Sequence, residues 1–423
     1  MKALILAAGK GVRLRPITET RPKPLIPVMC KPLIDWHIEA LLNIPSIEEI
    51  GIVVSYLKEE IIEHVTSRWG DDKIVFIDQG KELGTGDAIV KGLKKLEASG
   101  KTLIIYGDLF LSNWNLYRML VDTGRNVIVG VPVENPKDYG VLRISEDDVF
   151  EGVIEKPTNP PSNLINSGIY FIDADEVLAH SDVPLSPRGE IEFTDILNAI
   201  ARDGTEIKVV RIGEGEWIDI GKPWNLLTAN RMALEGIDTS IKGRVEPNVV
   251  IRGRVVVEEG ARIRSFTYIE GPVYIGRDAV IGPNARIRPY TSICDGSRIG
   301  FSVEVKESII MEKTHISHLS YVGDSIVCEN VNFGAGTITA NLRFDDAPVK
   351  MIVKGRRISS GRRKLGAIVG GHVKTGINVS IMPGVKIGSY SWIAPGAIVT
   401  FDVPSHSFYK WRGEAYIEPL KEK

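Results

Sequence analysis

An aliphatic residue at every sixth position marks the second half of the chain, and this period constrains the fold more than any other feature. Each is followed four residues later, in most cases, by a small or β-branched residue. A six-residue period is typical of a parallel β-helix, in which every short strand points one side chain inward. We therefore predict a left-handed parallel β-helix. The unbroken series is Val245, Ile251, Val257, Ile263, Ile269, Ile275, Ile281, Ile287, Ile293, Ile299 and Val305.

The period continues beyond Val305 with one interruption. It slips by one residue to Ile310, Ile316, Val322 and Cys328, and it resumes from Val369 to Val399. Between about 339 and 365 lies a segment rich in lysine and arginine. A solvated loop is the usual explanation for such a charge run, whereas a loop this long without a clear period is more often functional. The sequence leaves both interpretations open.

Residues 1–236 have a different rhythm, in which short apolar runs alternate with amphipathic segments. This alternation predicts βαβ units, a mostly parallel sheet and helices on both faces. We therefore expect a Rossmann-like α/β domain over 1–236 and the β-helix over 237–423, the latter including the inserted loop and a C-terminal tail. The predicted strands are KALILAA, EEIGIVVS, KIVFID and TLIIYGD, and the predicted helices are KPLIDWHIEALLN, LKEEIIEHVTSRW and GDAIVKGLKKLEA.

Charge and cysteine content exclude several classes of function. Lys and Arg number 52 and Asp and Glu number 54, so no overall field favours nucleic acid or an anionic membrane. No apolar run reaches the roughly 18 residues of a membrane span. Cys30, Cys294 and Cys328 are odd in number and far apart. We expect a cytoplasmic protein without a disulfide or a zinc site.

The glycine-rich stretch AAGKGVR follows the first predicted strand. Gly9 and Gly11 allow a turn tight enough for backbone N–H groups to face an anion. The stretch is neither a Walker motif nor a dinucleotide fingerprint, and taken alone it fits an ordinary turn as well. Four basic residues, Arg13, Arg15, Arg21 and Lys23, and four prolines follow the two glycines by residue 27. They suit a stiffened loop that holds a polyphosphate.

The first half resembles the sugar-1-phosphate nucleotidylyltransferases, whose signature LAAGxGxRL…PKPL stands here at Leu6–Leu14 and Pro22–Leu25. The segments DQGKELGTGDAI, YGD, DYGVL, EKP, NSGIY and WIDIG continue the resemblance in order. It implies that Arg13 and Lys23 are catalytic and that Asp108 and Asp219 hold Mg²⁺. It also implies nucleotide and sugar contacts from Ala8, Gly9, Gly11, Gln79, Gly84, Thr85, Gly140, Glu155 and Asn166.

The β-helix half carries a second set of motifs, IGPxARxRP, VExK, HLxYxGD and NVNxGAGTITxN, between Ile281 and Asn341. It is similar to the acetyltransferase half of the bifunctional glucosamine-1-phosphate acetyltransferase/N-acetylglucosamine-1-phosphate uridylyltransferases. The resemblance implies that His318 is a general base and that acetyl-CoA is the co-substrate. Neutral histidine suits proton transfer near pH 7. Substrate contacts are implied for Arg288, Lys306, Tyr321, Asn332, Ala335 and Asn341.

Some positions depart from these patterns. Leu342 stands where the bacterial bifunctional enzymes have tyrosine, and Gly371 where they have serine, which questions the acetyl-CoA contacts. Asp219 and the segment RPKPL resemble thymidylyltransferases more than the bacterial bifunctional enzymes. The expected nucleotide is therefore UTP, dTTP or both.

We expect a bifunctional homotrimer acting on glucosamine-1-phosphate and N-acetylglucosamine-1-phosphate, with glucose-1-phosphate as a further candidate. One rival is a monofunctional nucleotidylyltransferase with a scaffolding β-helix. The other is a non-catalytic regulatory subunit, which the presence of Arg13, Lys23, Asp108 and Asp219 disfavours.

Overall fold

The computed structural model describes residues 1–81, 83–411, 413 and 415–419. The chain forms two compact units. The first contains Met1–Lys10, Pro22–Leu25 and Pro32–Asp219, and the second contains Gly11–Arg21, Ile26–Lys31 and Ile220–Lys423. The last four residues of the predicted tail, 420–423, lie outside the described residues.

The elements up to the start of the β-helix follow the predicted alternation. Each of the seven predicted segments forms the expected strand or helix, within one to three residues at most ends. The strands are β1 (Lys2–Leu6), β2 (Pro27–Val28), β3 (Lys31–Pro32), β4 (Glu49–Val54), β5 (Ile74–Asp78), β6 (Lys101–Tyr106), β7 (Leu109–Leu111), β8 (Val127–Pro132), β9 (Gly140–Ile144), β10 (Phe150–Glu155), β11 (Leu164–Asp173), β12 (Lys208–Arg211) and β13 (Trp217–Asp219). The helices are α1 (Leu33–Leu42), α2 (Lys58–Trp69), α3 (Thr85–Lys95), α4 (Leu116–Asp122), α5 (Ala174–Ala179), α6 (Phe193–Arg202) and α7 (Pro223–Glu235).

The main sheet of the first unit has the order β10-β9-β11-β6-β1-β4-β5, with β8 beside β11 and β12 beside β8. Strands β6, β1, β4 and β5 run parallel, as predicted. The strands β9, β10 and β11 are antiparallel additions that the sequence analysis did not foresee. Successive residues of β1 enter different apolar cores, Ala3 and Ile5 on one side and Leu4 on the other. The sheet is therefore covered on both faces, because strand side chains alternate.

The β-helix of the second unit confirms the six-residue period. Its short strands stack in three sheets, named here for their first members as the β14, β15 and β16 sheets. The strands of these sheets run parallel apart from the last pair of the β15 sheet, which is antiparallel. From Val257 onward the aliphatic residues of the period belong to one buried core, against which Ile251 packs, whereas Val245 at the start of the series is exposed. The strands are β14 (Ser240–Ile241), β15 (Arg244–Val245), β16 (Val250–Arg252), β17 (Val255–Val257), β18 (Arg262–Ile263), β19 (Tyr268–Glu270), β20 (Val273–Ile275), β21 (Val280–Ile281), β22 (Arg286–Ile287), β23 (Thr291–Ile293), β24 (Arg298–Phe301), β25 (Glu304–Lys306), β26 (Ile309–Ile310), β27 (His315–His318), β28 (Tyr321–Gly323), β29 (Ile326–Val327), β30 (Asn332–Phe333), β31 (Ile338–Thr339), β32 (Lys350–Val353), β33 (Arg356–Ser359), β34 (Ile368–Val369), β35 (Lys374–Thr375), β36 (Ser380–Ile381), β37 (Lys386–Ile387), β38 (Trp392–Ile393), β39 (Ile398–Val399), β40 (Ser407–Trp411) and β41 (Ala415–Pro419).

The register slips twice, and the second slip corrects the sequence prediction. Ile293 pairs with Ile310, which is the slip read from the sequence. Ile310 then pairs with Val327, so Val327 and not Cys328 takes the inward position of the next coil. Cys328 is nevertheless fully buried. Two adjacent buried apolar residues make the inward one ambiguous from sequence, because periodicity alone does not separate them.

The interruption of the period contains a small antiparallel hairpin, β32 with β33. Part of the positive charge of the interrupting segment is neutralised by ion pairs within that segment. Arg343 pairs with Asp345, and Arg363 pairs with Asp346. The exposed basic side chains of the hairpin itself are Lys350, Lys354, Arg356 and Arg357.

The expectation of unpaired cysteines is wrong for two of the three. Cys30 and Cys294 form a disulfide with a Cα–Cα distance of 5.2 Å, within the normal range. The two residues are 264 positions apart in sequence, and proximity across such a span is a property of the fold that cysteine spacing does not show. Cys328 is a free buried thiol. Within the part of the chain that the structure describes, no helix is long and apolar enough to cross a membrane.

Candidate active sites

The glycine-rich stretch begins where β1 ends. The amide of Ala7 donates to the carbonyl of Val53, and the amide of Gly107 donates to that of Leu6, which ties the end of β1 to its neighbours. A Cβ built on Gly9 would meet no atom within 4 Å, so this glycine faces open space. Gly11 has a φ of 61°, a left-handed conformation that glycine adopts without strain. The strand end thus presents exposed backbone, as a phosphate site requires.

The two predicted metal ligands come together in register. Asp108 lies directly before β7, and the antiparallel partner of Leu109 on β13 is Asp219. Lys23 Nζ lies 2.5 Å from Asp108 Oδ2, and the lysine side chain is only 10% exposed. Carboxylate oxygens are the donors that Mg²⁺ prefers, and Mg²⁺ is usually bound by only one or two of them. Asp108 and Asp219 are two carboxylates of this kind on neighbouring strands, and no cluster of three or more potential ligands occurs among the described residues.

Three predicted sugar-contact residues also converge. A Cβ on Gly140 would lie 2.9 Å from Glu155 Oε2 and 3.8 Å from the Cβ of Asn166. Gly140 and Glu155 are paired across β9 and β10. Asn166 Nδ2 donates to the hydroxyl of Tyr170 at 2.7 Å. A side chain at position 140 would lie against the carboxylate of Glu155.

The predicted base-recognition residues are engaged within the protein. Gln79 is buried, and its Nε2 donates to the Gly84 carbonyl and to Asp87, each at 3.1 Å. A Cβ on Gly84 would lie 2.5 Å from the carbonyl oxygen of Ile191, so packing explains this glycine. Thr85 Oγ1 accepts from the amide of Phe193 at 3.1 Å. The structure therefore groups these residues but gives Gly84 and Thr85 structural contacts of their own.

Four predicted acetyltransferase residues form a cluster on the β16 sheet. Lys306 Nζ lies 3.1 Å from Asp324 Oδ2, and Asn341 Nδ2 donates to Asp324 Oδ2 at 2.5 Å. Asn341 also donates to the hydroxyl of Tyr321 at 3.1 Å. Burial raises the pKa of Tyr321, so its hydroxyl keeps its proton.

Arg288 completes this cluster through Glu304. Arg288 Nη1 donates to Glu304 Oε1 at 2.9 Å, from the coil below. Glu304 in turn pairs in register with Tyr321. Arg288 and Lys306, the two cations predicted to hold the sugar phosphate, are thus positioned by neighbouring carboxylates. A bound phosphate would compete with these carboxylates for the two cations.

His318 and Asn332 belong to the neighbouring β15 sheet. His318 ends β27, pairs in register with Phe301 and lines a groove of about 330 Å³. Arg264 and Arg298 line the same groove. Asn332 pairs with His315 on β27. Ala335 accepts a backbone hydrogen bond from Asn378 on the next coil.

Several residues of these clusters escaped the sequence analysis. Asp324 is 1% exposed and touches both Lys306 and Asn341. Its position as the aspartate of HLxYxGD was a usable signal. Tyr170 and Arg188, the latter 3.6 Å from Glu155, belong to the sugar-contact group. They carry no local pattern and become visible only through the sheet register and the loop before α6.

Arg21, expected to help hold a polyphosphate, is instead buried against Glu312 and Glu329 of the β-helix. The departure at Gly371 has a related cause. A Cβ on Gly371 would lie 2.3 Å from Glu329 Oε1 and 3.0 Å from Thr20 Oγ1. The space that a serine side chain would need is therefore taken.

The predicted site residues thus include a carboxylate–lysine cluster in the first half of the chain and a second polar cluster in the β-helix. The sequence pattern of the nucleotidyl transferase family matches residues 2–236, and that of the GMPPB C-terminal domain matches residues 269–375. A bifunctional sugar-1-phosphate nucleotidylyltransferase/acetyltransferase from Sulfurisphaera tokodaii is 52% identical over 412 residues, covering 97% of this chain and 100% of the relative.

Two further relatives are similar to this chain over most or all of its length. A bifunctional protein GlmU from Methanocaldococcus jannaschii is 44% identical over 421 residues, covering 100% of both chains. A glucose-1-phosphate thymidylyltransferase from Streptomyces antibioticus is 33% identical over 338 residues, covering 78% of this chain and 93% of the relative. The chain belongs to the family of bifunctional sugar-1-phosphate nucleotidylyltransferases/acetyltransferases.

Proposed function

We propose that the first half of the chain transfers UMP or dTMP from its triphosphate to a sugar-1-phosphate. A phosphate oxygen of the sugar attacks the α-phosphorus, the bond to the β-phosphate breaks, and pyrophosphate leaves. The observation that carries this proposal is the pairing of Asp219 with the residue after Asp108, with Lys23 at hydrogen-bond distance. Two polyanions must be neutralised and aligned for this displacement.

Each residue in this half has a role that suits its position. Asp108 and Asp219 would hold Mg²⁺, which when bound supplies charge neutralisation at the reacting phosphates. Lys23 neutralises phosphate oxygens near the reacting centre, and Arg13 the departing pyrophosphate. The Ala8–Gly11 backbone faces the triphosphate, and Gln79, Gly84 and Thr85 form the base end of the site.

The sugar end of this site is assigned to Gly140, Glu155 and Asn166. Their convergence supports the assignment, because a carboxylate and an amide offer the acceptors and donors that hydroxyl groups need.

We infer that the second half acetylates the amine of glucosamine-1-phosphate with acetyl-CoA. The amine nitrogen attacks the thioester carbonyl, the C–S bond breaks, CoA leaves as its thiol, and His318 accepts the proton of the amine. Arg288 and Lys306 hold the sugar phosphate. Tyr321, Asn332, Ala335 and Asn341 line the amino-sugar site. The contacts among Lys306, Asp324, Asn341 and Tyr321 support this assignment.

The proposal extends to the preferred sugar, the location and the oligomeric state. N-acetylglucosamine-1-phosphate is then the natural acceptor of the nucleotidyl group, with glucose-1-phosphate a second acceptor. We further propose a cytoplasmic homotrimer without nucleic-acid partners. The disulfide between Cys30 and Cys294 is compatible with this location, since intracellular proteins of hyperthermophiles are rich in disulfides. A single glutamine, Gln79, agrees with such a source.

One substrate panel tests both activities. Glucosamine-1-phosphate, N-acetylglucosamine-1-phosphate and glucose-1-phosphate are each supplied with UTP or dTTP and Mg²⁺, with and without acetyl-CoA, while pyrophosphate and CoA are measured. Asp108→Asn should abolish pyrophosphate release and leave CoA release intact, and His318→Ala should do the reverse. CoA release that survives His318→Ala, or is absent from the wild type, would support the monofunctional rival.

A further inference from the structure

The tip of the β32–β33 hairpin carries positive charge that the described residues leave unpaired. From residue 347 to residue 364 the sequence contains seven basic residues and no acidic one. Lys354, Arg356 and Arg357 lie at the tip, are exposed, and have no ion-pair partner among the described residues. The arginines that flank the hairpin are each paired with a carboxylate, Arg343 with Asp345, Arg362 with Glu307 and Arg363 with Asp346.

The hairpin that carries these cations has a defined conformation. Val349, Met351 and Val353 form its buried face and are at most 8% exposed, since side chains alternate along a strand. The tip is a two-residue turn in which Lys354 and Gly355 have φ angles of 49° and 74°, the left-handed pair that suits a tight hairpin. A buried face and a tight turn distinguish this hairpin from a solvated loop.

The neck of the hairpin is tied to the polar cluster assigned to the amino sugar. The carbonyl of Asn341 accepts from the amide of Leu365 at 2.9 Å. Arg362 pairs with Glu307 and lies 3.9 Å from Asp324 Oδ1. The hairpin therefore leaves the β-helix and returns to it at the residues that are proposed to bind the amino sugar.

The tip stands away from this neck by a short, fixed span. Lys354 follows Lys350, the first residue of β32, by four positions, and at about 3.3 Å per residue the strand covers about 13 Å. A ligand whose reactive group lies at the amino-sugar cluster can therefore meet the tip only with a remote part of its structure.

The proposed acetyl transfer has a substrate of this shape. Acetyl-CoA carries a diphosphate and a 3′-phosphate at its nucleotide end, and the pantetheine arm separates them from the thioester. Arg288 and Lys306 are assigned to the phosphate of the sugar, so the phosphates of acetyl-CoA have no cation assigned to them. Lysine and arginine are the side chains that bind phosphate, and the hairpin tip offers three of them.

We propose that Lys354, Arg356 and Arg357 bind the nucleotide phosphates of acetyl-CoA, so that the hairpin favours a CoA thioester over a thioester without the nucleotide. The inference rests on the proposed acetyl transfer and deepens it by placing the anionic end of the co-substrate. The tip takes no part in the covalent step. Its contribution therefore belongs to KM for acetyl-CoA rather than to kcat.

The test is the triple variant Lys354→Gln/Arg356→Gln/Arg357→Gln, assayed with acetyl-CoA and with S-acetylpantetheine, which lacks the nucleotide and its phosphates. We expect KM for acetyl-CoA to rise about tenfold, because each exposed charge pair contributes modestly and three are lost. KM for S-acetylpantetheine and for glucosamine-1-phosphate should stay within twofold. Turnover of S-acetylpantetheine by the same preparation reports that the β-helix is folded.

The matched control removes three exposed cations elsewhere on the β-helix, Arg244→Gln/Arg262→Gln/Lys313→Gln. It should leave all three KM values within twofold of the wild type.

Salt provides a measurement that needs no variant. At saturating glucosamine-1-phosphate, KM of the wild type for acetyl-CoA should rise with ionic strength, since salt screens exposed charges. KM for S-acetylpantetheine should not follow it. The triple variant should show a smaller salt dependence for acetyl-CoA than the wild type.

The possible results are distinct. An unchanged KM for acetyl-CoA in the triple variant, or an equal rise for S-acetylpantetheine, would overturn the proposal. A rise specific to acetyl-CoA in Arg264→Gln/Arg298→Gln, with none in the hairpin variant, would overturn it as well and move the phosphates to the His318 groove. A rise in KM for UTP alone would assign the hairpin to the other activity. A wild type that releases no CoA with glucosamine-1-phosphate would instead refute the proposed function on which the inference rests.

Discussion

At the scale of single residues, the most informative side chain is a carboxylate that no substrate need touch. Asp324 is almost fully buried, and it contacts Lys306 and Asn341 at once. Glycine at 323 is required beside it, because a Cβ there would lie 2.4 Å from the Tyr321 hydroxyl. A buried charge with two donors fixes their direction. Asp324 therefore fixes the positions of Lys306 and Asn341 in the proposed amino-sugar site.

We predict that Asp324→Asn lowers kcat/KM for acetyl transfer about 10- to 100-fold, since a hydrogen bond to a charged group contributes about 1.5–3 kcal/mol. The amide would also turn an NH₂ group or a neutral oxygen toward Lys306. Nucleotidyl transfer by the same protein is the internal reference.

Asp345→Asn is the matched control for Asp324→Asn. It alters an exposed pair with Arg343 and should leave acetyl transfer unchanged. Equal acetyl transfer in Asp324→Asn and the wild type would contradict the role given to Asp324.

At the scale of elements, His37 joins three pieces of the first unit. It lies on α1, and its ring nitrogens contact the hydroxyl of Tyr117 on α4 at 2.8 Å and the carbonyl of Leu109 on β7 at 3.0 Å. The carbonyl can only accept, so Nε2 carries the proton and Nδ1 accepts from Tyr117. Burial lowers the pKa of His37 to about 4.

This burial predicts acid sensitivity. In the unfolded chain histidine titrates near 6.5. Below that pH the unfolded state binds a proton at His37, whereas the folded state remains unprotonated there until about pH 4. The stability linked to neutral His37 is complete above pH 6.5 and is lost progressively as the pH falls to about 4. The loss amounts to about 3 kcal/mol.

Chemical unfolding of the wild type and of His37→Gln between pH 7.5 and 4.5 measures this loss. The variant should show the shallower dependence on pH. Parallel curves for the two proteins would mean that His37 is already accessible to protons in the folded state.

The elements also show how far the sequence can predict the fold. Residues close in sequence determine the α/β alternation and the six-residue period, and both were foreseen. The antiparallel pairing of β9, β10 and β11, the slip at Val327 and the Cys30–Cys294 bond depend on partners distant in sequence. The same limit applies to the sites. Motifs predict Asp108 and Asp219 as site residues, whereas the partners of Arg21 lie some 300 positions away and have no local signal.

At the scale of the whole molecule, the β-helix exposes apolar side chains along the edge between the β15 and β16 sheets. Phe266 and Leu319 occupy corresponding left-handed turn positions there and are 65% and 60% exposed. Phe301 lies on the same edge and lines the His318 groove. The two coils between Phe266 and Leu319 have Asn284 and Ser302 at this turn position, so the edge mixes apolar and polar residues. Exposed apolar residues rimmed by polar ones are typical of a protein contact surface. A second copy of the chain is the occupant that the proposed trimer supplies.

We predict a wild-type mass by light scattering of three chains of 46.6 kDa. Phe266→Glu should yield monomers, since burying an unpaired charge at a contact is costly. Phe344→Glu, on the exposed inserted loop, should remain trimeric. A monomeric wild type would refute the trimer, and a trimeric Phe266→Glu would place the contact on another surface.

The division of the chain into two units has a consequence for the choice of fragments to express separately. Residues 11–21 and 26–31 belong to the same compact unit as residues 220–423, which follow about two hundred positions later in the sequence. A division of the chain at residue 236 would separate these residues from the compact unit to which they belong. The halves of the sequence therefore do not coincide with the compact units, and a fragment that is to contain the complete second unit must include residues 11–21 and 26–31.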